Sequence, residues 1–358
     1  VMTSRDPQRI LIIRLSALGD VVMASGLIPA LRARYPHAAL FWLNEGPGVP
    51  LLTHNPDLKG IILLPKERWK SLWKARQLRT LWQEVKAFRR QLREHRFDLA
   101  LDTQGLLKSS LCAWWSGAPR RISIIGREGG HLLVHERIKP PAGQDTRMGS
   151  EYRFLASYLG ARDEDFKPDL AIGEKPRSRM RQALAEARSR DSATRPMVML
   201  CPFTTRPQKH WFEDRWVDLS RALYEHGWQP VILGGPADKA AAERIAQAHP
   251  QTLNMAGALK LDESTAAIAE GQLLIGVDTG LTHMGSALGI PTVALFGSTR
   301  PYLSSGQPST RVMYDGLSCS PCRRNPTCNG RFDCMRQFTV ERVLNTALDL
   351  IRNTKEGP

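Results

Sequence analysis

Nothing in this chain of 358 residues reads as a membrane span, because no apolar run approaches the ~20 residues a helix needs to cross a bilayer. No G-x-G-x-x-G follows the first apolar segment, which counts against a dinucleotide-binding oxidoreductase. Long biased tracts are missing too, and 42% hydrophobic residues argue for a globular chain rather than a disordered one. The first residues are basic and polar and lead straight into an apolar segment, where a secretory leader would differ, so the expectation is a cytoplasmic protein. Acids are short as well. Asp and Glu number 35 against 50 Lys and Arg, and the net charge of +15 calls for acidic partners: phosphorylated small molecules, nucleic acid or an anionic membrane surface.

What is present is an alternation of apolar runs and helical patterns, long enough for two domains. Residues 9–15 (RILIIRL) read as a buried strand, and Ser16-Ala17-Leu18-Gly19-Asp20 turns into a helix over 21–35. A carboxylate at the C-terminal end of the first parallel strand lies where open α/β sheets bind ligands, although Asp20 would also serve as a plain helix cap. A strand at 38–43, a helix in 48–55, strands at 60–64 and 97–103 and a helix start at 104–109 continue the pattern. Lys108 is there a candidate anion contact. Arg120 and Arg121 precede a short strand, 126–130 and 140–149 read as loops, and a helix at 149–159 finishes the first unit. Residues 1–172 form one domain, 173–196 a connection containing a basic helix, 197–338 a second domain, and 339–358 a final helix.

The second domain is organised around Gly276-Val277-Asp278-Thr279-Gly280-Leu281-Thr282-His283, a buried strand, a tight turn and a helix. Asp278 and Thr279 are good capping residues, and with Gly280 they leave backbone N–H groups and the positive helix end for an anion. The strand at 197–203 leads into Thr204-Thr205-Arg206-Pro207-Gln208-Lys209-His210-Trp211. Two hydroxyls and a lysine there suit a diphosphate, with Lys209 supplying charge for a departing phosphate. Asp238, in the turn after the strand at 230–233, would stand near a ribose.

Two stretches break the pattern. Residues 66–96 hold eleven Lys and Arg against Glu67, Glu84 and Glu94, with Leu78, Leu81, Val85, Phe88 and Leu92 at helical spacing. Trp69 and Trp73 among the first of these cations suit a membrane interface or an anionic amphiphile, while 86–96 reads as a solvated face. The second stretch, 316–336, carries Cys319, Cys322, Cys328 and Cys334 in a Gly/Pro/Asn-rich loop. Four thiols there point to a structural zinc or iron, with reduced thiols or disulfides as the alternatives, whereas Cys112 and Cys201 read as core residues.

Ile10-Leu-Ile-Ile-Arg-Leu-Ser-Ala-Leu-Gly-Asp20-Val, Asp102-Thr-Gln-Gly-Leu-Leu-Lys108-Ser, Thr204-Thr-Arg-Pro-Gln-Lys209-His-Trp211 and Gly276-Val-Asp278-Thr-Gly-Leu-Thr-His283 occur in this order. Together they resemble the bacterial lipopolysaccharide heptosyltransferases of glycosyltransferase family 9. The resemblance implies an α/β GT-B fold, two Rossmann-like domains whose parallel sheets face a central cleft, with the last helix crossing back to the first domain. It implies Asp20 as general base, Thr204, Thr205, Lys209, Asp238, Asp278, Thr279, Gly280 and His283 at the donor, and no cofactor for catalysis. Arg68, Lys70, Lys74 and Arg76 fall in the region of the family's basic acceptor segment, and Lys108 and Arg120 are read with them as acceptor contacts. The implied partners are ADP-heptose and an anionic glycolipid, the Kdo-lipid A inner core, met peripherally at the cytoplasmic face of the inner membrane; no nucleic acid is expected. The cysteine loop is similar to that of members that carry iron and modify autotransporter proteins, so another donor or a protein acceptor is the alternative. Beyond transfer stand a sugar-nucleotide epimerase, which would need no acceptor, and a basic zinc-containing nucleic-acid-binding protein, which would bind duplex in a salt-sensitive way.

Overall fold

The computed structural model describes residues 6–125, 128–141, 143–188 and 195–355. The chain divides into two compact units, residues 1–145 with 149–171, and residues 146–148 with 172–358.

In the first unit the order is β1 (Arg9–Ile13), α1 (Leu18–Ala24), α2 (Leu27–Arg34), β2 (Ala39–Asn44), β3 (Leu58–Leu63), α3 (Lys66–Lys74) and α4 (Leu78–Glu94), then β4 (Leu99–Asp102), α5 (Leu107–Trp115), β5 (Arg120–Ile124), β6 (Glu136–Ile138) and α6 (Ser150–Tyr158). Its six-stranded sheet runs β3-β2-β1-β4-β5-β6, all pairs parallel. Ile10, Leu11, Ile12 and Ile13 are wholly buried, as a central parallel strand covered on both faces requires. Strand order reverses between β1 and β4, so the loops leaving those strands bound a crevice at the C-terminal edge.

The second unit contains α7 (Glu174–Arg188), β7 (Met197–Cys201), α8 (Glu213–Glu225), β8 (Gln229–Ile232), α9 (Lys239–Ala248), β9 (Leu253–Asn254), α10 (Leu261–Glu270) and β10 (Leu273–Val277), then α11 (Gly280–Ala287), β11 (Thr292–Leu295), β12 (Thr310–Met313), α12 (Asp333–Arg336) and α13 (Val340–Lys355). Its parallel sheet runs β12-β11-β10-β7-β8-β9 and reverses between β7 and β10. The loops after β7 and β10, which carry Lys209 and Asp278, therefore flank the second switch point. With these two Rossmann-like sheets the fold is GT-B.

Several expected elements are corrected. The helix of 21–35 is broken into α1 and α2 around Ser25 and Gly26, where a Cβ on Gly26 would stand 2.6 Å from the Phe166 ring. In 48–55 there is only a 3-10 turn, Val49–Leu51, with Pro50 in its first turn. The basic helix of 173–196 is no free connection: α7 packs on α10, with Met180 and Leu184 buried and Arg179 and Arg181 paired to Glu263 and Glu270. Part of that expected connection, 189–194, lies outside the described residues, as do Gly126, Arg127 and Ala142 of the expected loops. The final helix, α13, packs within the second unit. Val343, Leu344, Ala347, Leu350 and Ile351 form one apolar stripe of α13, and that stripe is spent on the second unit's own core beside β10 and β11. Among the described residues no helix is long and apolar enough to cross a membrane.

Candidate active site

The first unit presents its carboxylate from the turn after β1. Asp20 is the third residue of α1, and its Oδ2 accepts the Ala17 N–H at 3.3 Å, so it does cap the helix. The same oxygen is ion-paired to Arg14. Arg14 is buried beside the Tyr152 ring, 5.8 Å from its centroid, and donates to the Thr103 carbonyl at 2.9 Å. Burial works against the Arg14 charge, and Tyr152, Asp20 and Glu151 more than offset it. The Asp20 side chain remains 36% exposed. The arrangement leaves an oriented carboxylate with solvent access, which suits a group that accepts a proton.

Buried polar residues hold the neighbouring turns. Asp102 is fully buried at the end of β4; its Oδ1 accepts the Gln104 and Gly105 N–H groups at 3.1 and 3.0 Å, and its Oδ2 accepts the Ser110 and Ser123 hydroxyls at 2.6 and 3.1 Å. The Gln104 side-chain amide oxygen Oε1 in turn accepts the Leu15 N–H at 3.2 Å, tying the β4 turn to the strand that leads to Asp20. At the end of β2, Asn44 accepts the Gly46 and Gly48 N–H groups at 2.9 and 3.2 Å and so shapes the turn that carries Glu45. Glu45, half-buried with only 6% of its side chain exposed, pairs with both Lys66, at 2.9 Å, and Lys108. Burial pushes the Glu45 carboxyl up, yet Lys108 and Lys66 bring it below its ordinary value.

The expected acceptor contacts are thereby separated. Lys108 is not a free cation but shares Glu45 with Lys66, two positive charges on one acid. Arg68 is paired to Glu84 at 3.2 Å, and Lys70, Lys74 and Arg76 are exposed on α3 and the turn after it. Arg120 is a correction: it stands at the N-terminal end of β5, the sheet edge opposite the Asp20 turn, and its guanidinium grips Glu136 at 2.6 and 3.0 Å. Trp69 also departs from an interfacial role, because it packs edge-on against Phe88 and Trp115 at the first core, whereas Trp73 is exposed.

In the second unit the loops after β7 and β10 meet. Asp278 directly follows β10, is buried, and receives Lys209 Nζ at 2.6 Å on Oδ2 and His283 Nε2 at 3.1 Å on Oδ1. Burial alone would push the Asp278 carboxyl up, but His283 and Lys209 hold it well below the usual carboxylate range. His283 Nδ1 faces the Tyr302 hydroxyl at 2.9 Å, which orients the ring, and the Thr299 hydroxyl donates to Asp278. Thr204 donates to the Asp278 carbonyl at 3.2 Å, while His210 Nε2 lies 2.8 Å from the Thr204 carbonyl. Thr205 is exposed beside them. Thr279 is the first flanking residue of α11 and makes no side-chain capping bond, so the first-turn N–H groups of α11, from Gly280 on, keep their capacity for an anion. Asp238 differs from these. One of its oxygens is committed to its own turn, accepting the Gly235 N–H at 2.8 Å.

Arg14, Glu45, Thr299 and Tyr302 are the residues that the sequence pattern does not announce, since each partner lies at a remote position. Arg14 alone left a trace, as a cation inside an otherwise apolar strand run.

The four cysteines of the loop differ in burial: Cys319 is exposed, Cys322 and Cys328 are half-buried and Cys334 is buried. Among the described residues no group of three or more His, Cys, Asp or Glu is disposed to hold a metal ion. Cys334 is buried on α12, its Sγ 2.8 Å from where a Gly297 Cβ would sit, and it belongs to the second core, while Cys319 is exposed. Burial, followed by the three other thiols, pushes the Cys334 thiol up to about 11. Cys112 and Cys201 are buried core residues, as expected.

Residues 85–332 match the family model described as glycosyltransferase family 9 (heptosyltransferase). Lipopolysaccharide heptosyltransferase 1 of Pseudomonas aeruginosa is 27% identical, over 89% of this chain and 87% of its own length. Lipopolysaccharide heptosyltransferase 2 of Escherichia coli is 27% identical over 94% of this chain and 96% of its own. Among solved structures, E. coli ADP-heptose LPS heptosyltransferase II superimposes with a TM-score of 0.75 at 24% identity, covering 98% of this chain and 100% of that one. E. coli heptosyltransferase WaaC with ADP-2-deoxy-2-fluoro heptose does so with a TM-score of 0.72 at 21% identity, covering 95% and 99%. A carboxylate-bearing turn at one switch point, a lysine and a helix mouth at the other, and a family match over more than half of the chain converge on one conclusion: this protein is a glycosyltransferase and belongs to family 9, the heptosyltransferases.

Proposed function

We propose that the protein moves a heptose from ADP-heptose to a hydroxyl of an anionic glycolipid, the Kdo-lipid A inner core of lipopolysaccharide, with inversion at the anomeric carbon. The observation that carries this reading is Lys209, held by Asp278 beside the mouth of α11, so that an ammonium and the free first-turn N–H groups stand together as the donors a departing diphosphate requires. Names of relatives support the sugar and the acceptor class, and one relative's structure holds a fluoro-heptose analogue of ADP-heptose.

In the proposed reaction the first unit holds the acceptor and the second the donor. The acceptor hydroxyl attacks the anomeric carbon while Asp20 takes its proton; the bond from that carbon to the diphosphate breaks, and ADP leaves with the bonding pair. Lys209, Thr204, Thr205 and the first-turn N–H groups of α11 meet the charge that develops on the diphosphate. Asp278, relieved of unfavourable charge by Lys209 and His283, is placed to accept sugar hydroxyls beside Thr279. Lys70, Lys74 and Arg76, with the net positive Lys66–Glu45–Lys108 cluster, supply the field for an acidic acceptor. The site of action is the cytoplasmic face of the inner membrane.

Replacement of Asp20 by Asn is expected to lower kcat by about 100- to 10,000-fold, the usual worth of a positioned base, with ADP-heptose binding by calorimetry unchanged. Lys209→Ala is expected to weaken both binding and transfer. An Asp20→Asn enzyme that transfers at the wild-type rate would remove the mechanism.

A further inference from the structure

The C-terminal half of α4 carries more positive charge than a solvated face needs. Lys86, Arg89, Arg90 and Arg93 recur at i, i+3, i+4 and i+7, one side of the helix. With Arg96 they line an open groove of about 560 Å³ whose lining includes a single acid, Glu94. Like charges at this spacing repel and weaken a helix, and the helix dipole compensates only in the last turn, at Arg93. Arg90 reaches Glu94 at 3.8 Å, whereas the Nε of Arg89 is buried without a hydrogen-bond partner.

The same side of α4 continues toward its N-terminus as apolar surface. Trp82 is 63% exposed and Leu78 54%. Contact joins the two chemistries. The Lys86 ammonium lies 5.0 Å from the centroid of the Trp82 ring, and the Arg89 guanidinium 5.0 Å from that of Trp114 on α5, itself 39% exposed. Leu81, Val85, Phe88 and Leu92 face inward, so the apolar residues outside are not spare core.

We propose that this face docks on an anionic lipid surface, the cations over phosphate headgroups and Leu78, Trp82 and Trp114 at the boundary with the acyl chains. A nucleic-acid backbone would satisfy the cations and leave the leucine and the tryptophans in water; a charged bilayer interface takes both. The proposal rests on the reading of the acceptor as a membrane lipid, and it places the docking face on α4 and α5 rather than on the Trp69 segment.

Flotation with vesicles of phosphatidylglycerol and phosphatidylcholine tests it, using the full chain. Wild type is expected to float with the mixed vesicles and not with phosphatidylcholine alone. The triple variant Lys86→Gln/Arg89→Gln/Arg93→Gln is expected to lose partitioning by on the order of 100-fold. Leu78→Ser/Trp82→Ser is expected to lose about tenfold, and this loss persists at high salt because it is apolar. The triple variant binding like wild type, wild type binding both vesicle types equally, or wild type preferring duplex DNA to the anionic vesicles would each overturn the proposal. Transfer to a deacylated, water-soluble acceptor separates this from the functional reading. Wild type and triple variant should turn it over at the same rate, and absence of that transfer in wild type sinks the acceptor assignment while the flotation result still decides the surface.

Discussion

Asp20 acts through the company it keeps. A helix-capping aspartate is common, and what distinguishes this one is a buried guanidinium on the same oxygen that caps the helix, so that one edge of the carboxylate is fixed and the side chain still reaches solvent. In the proposed mechanism Arg14 is thus a positioning residue. Its replacement by Met is expected to lower kcat about 100-fold, the cost of misplacing a reacting group by an ångström, with donor affinity by calorimetry unchanged. Arg14→Lys should recover most of the rate, since a cation returns to the pocket. Wild-type kcat in Arg14→Met would show that Asp20 is aligned by the helix alone. Neither Arg14 nor Glu45 could be assigned from the chain by itself. The Asp20 turn is local and stands out as a small-residue and acidic break after an apolar run, but Glu45 finds Lys66 and Lys108 across 21 and 63 positions, and no spacing rule links them.

At the scale of elements, the junction of β10 and α11 is the best-determined feature. Gly276 cannot carry a side chain, because a Cβ there would meet Thr282 Oγ1 at 2.2 Å and the Cys201 Cβ at 2.8 Å. The strand and helix can therefore close tightly around Asp278. Its carboxyl is held below the ordinary range, so ionised Asp278 stabilises the folded state at pH above the unfolded-state value of about 4, and that contribution fades as pH falls below it toward the lower folded-state value. Thermal melts of wild type and Asp278→Asn are expected to differ most near neutral pH and to converge below about pH 4. A difference that stays constant across the series would mean that the ion pairs with Lys209 and His283 contribute nothing. This junction was legible in the sequence, since strand, turn and helix are contiguous there. The elements that went unread, α9 and β12, include Ala-rich and mixed segments whose burial is decided by neighbours rather than by periodicity. Leu78 fits the helical apolar spacing of α4 but is exposed, because the seam turns by a residue step to Leu81, Val85, Phe88 and Leu92.

For the molecule as a whole, two six-stranded parallel sheets each place their best chemistry at the point where strand order reverses. Asp20 follows β1 in one unit; Lys209 and Asp278 follow β7 and β10 in the other. The architecture was readable because alternating apolar runs and helices leave few parallel topologies open. Less legible was the cysteine loop, since four thiols in one short stretch look alike in sequence, and only the fold shows that Cys334 is buried at the second core while Cys319 is exposed. The positive net charge likewise announced an acidic partner without saying where it binds, and the structure concentrates exposed cations on α3 and α4.

The central claim is a direct displacement driven by one carboxylate, with no sugar bound covalently to the protein between donor and acceptor. The anomeric configuration of the transferred heptose, read by nuclear magnetic resonance on the product before any equilibration, tests it most directly. The account predicts the configuration opposite to that in ADP-heptose; a product with the donor's configuration retained would contradict it.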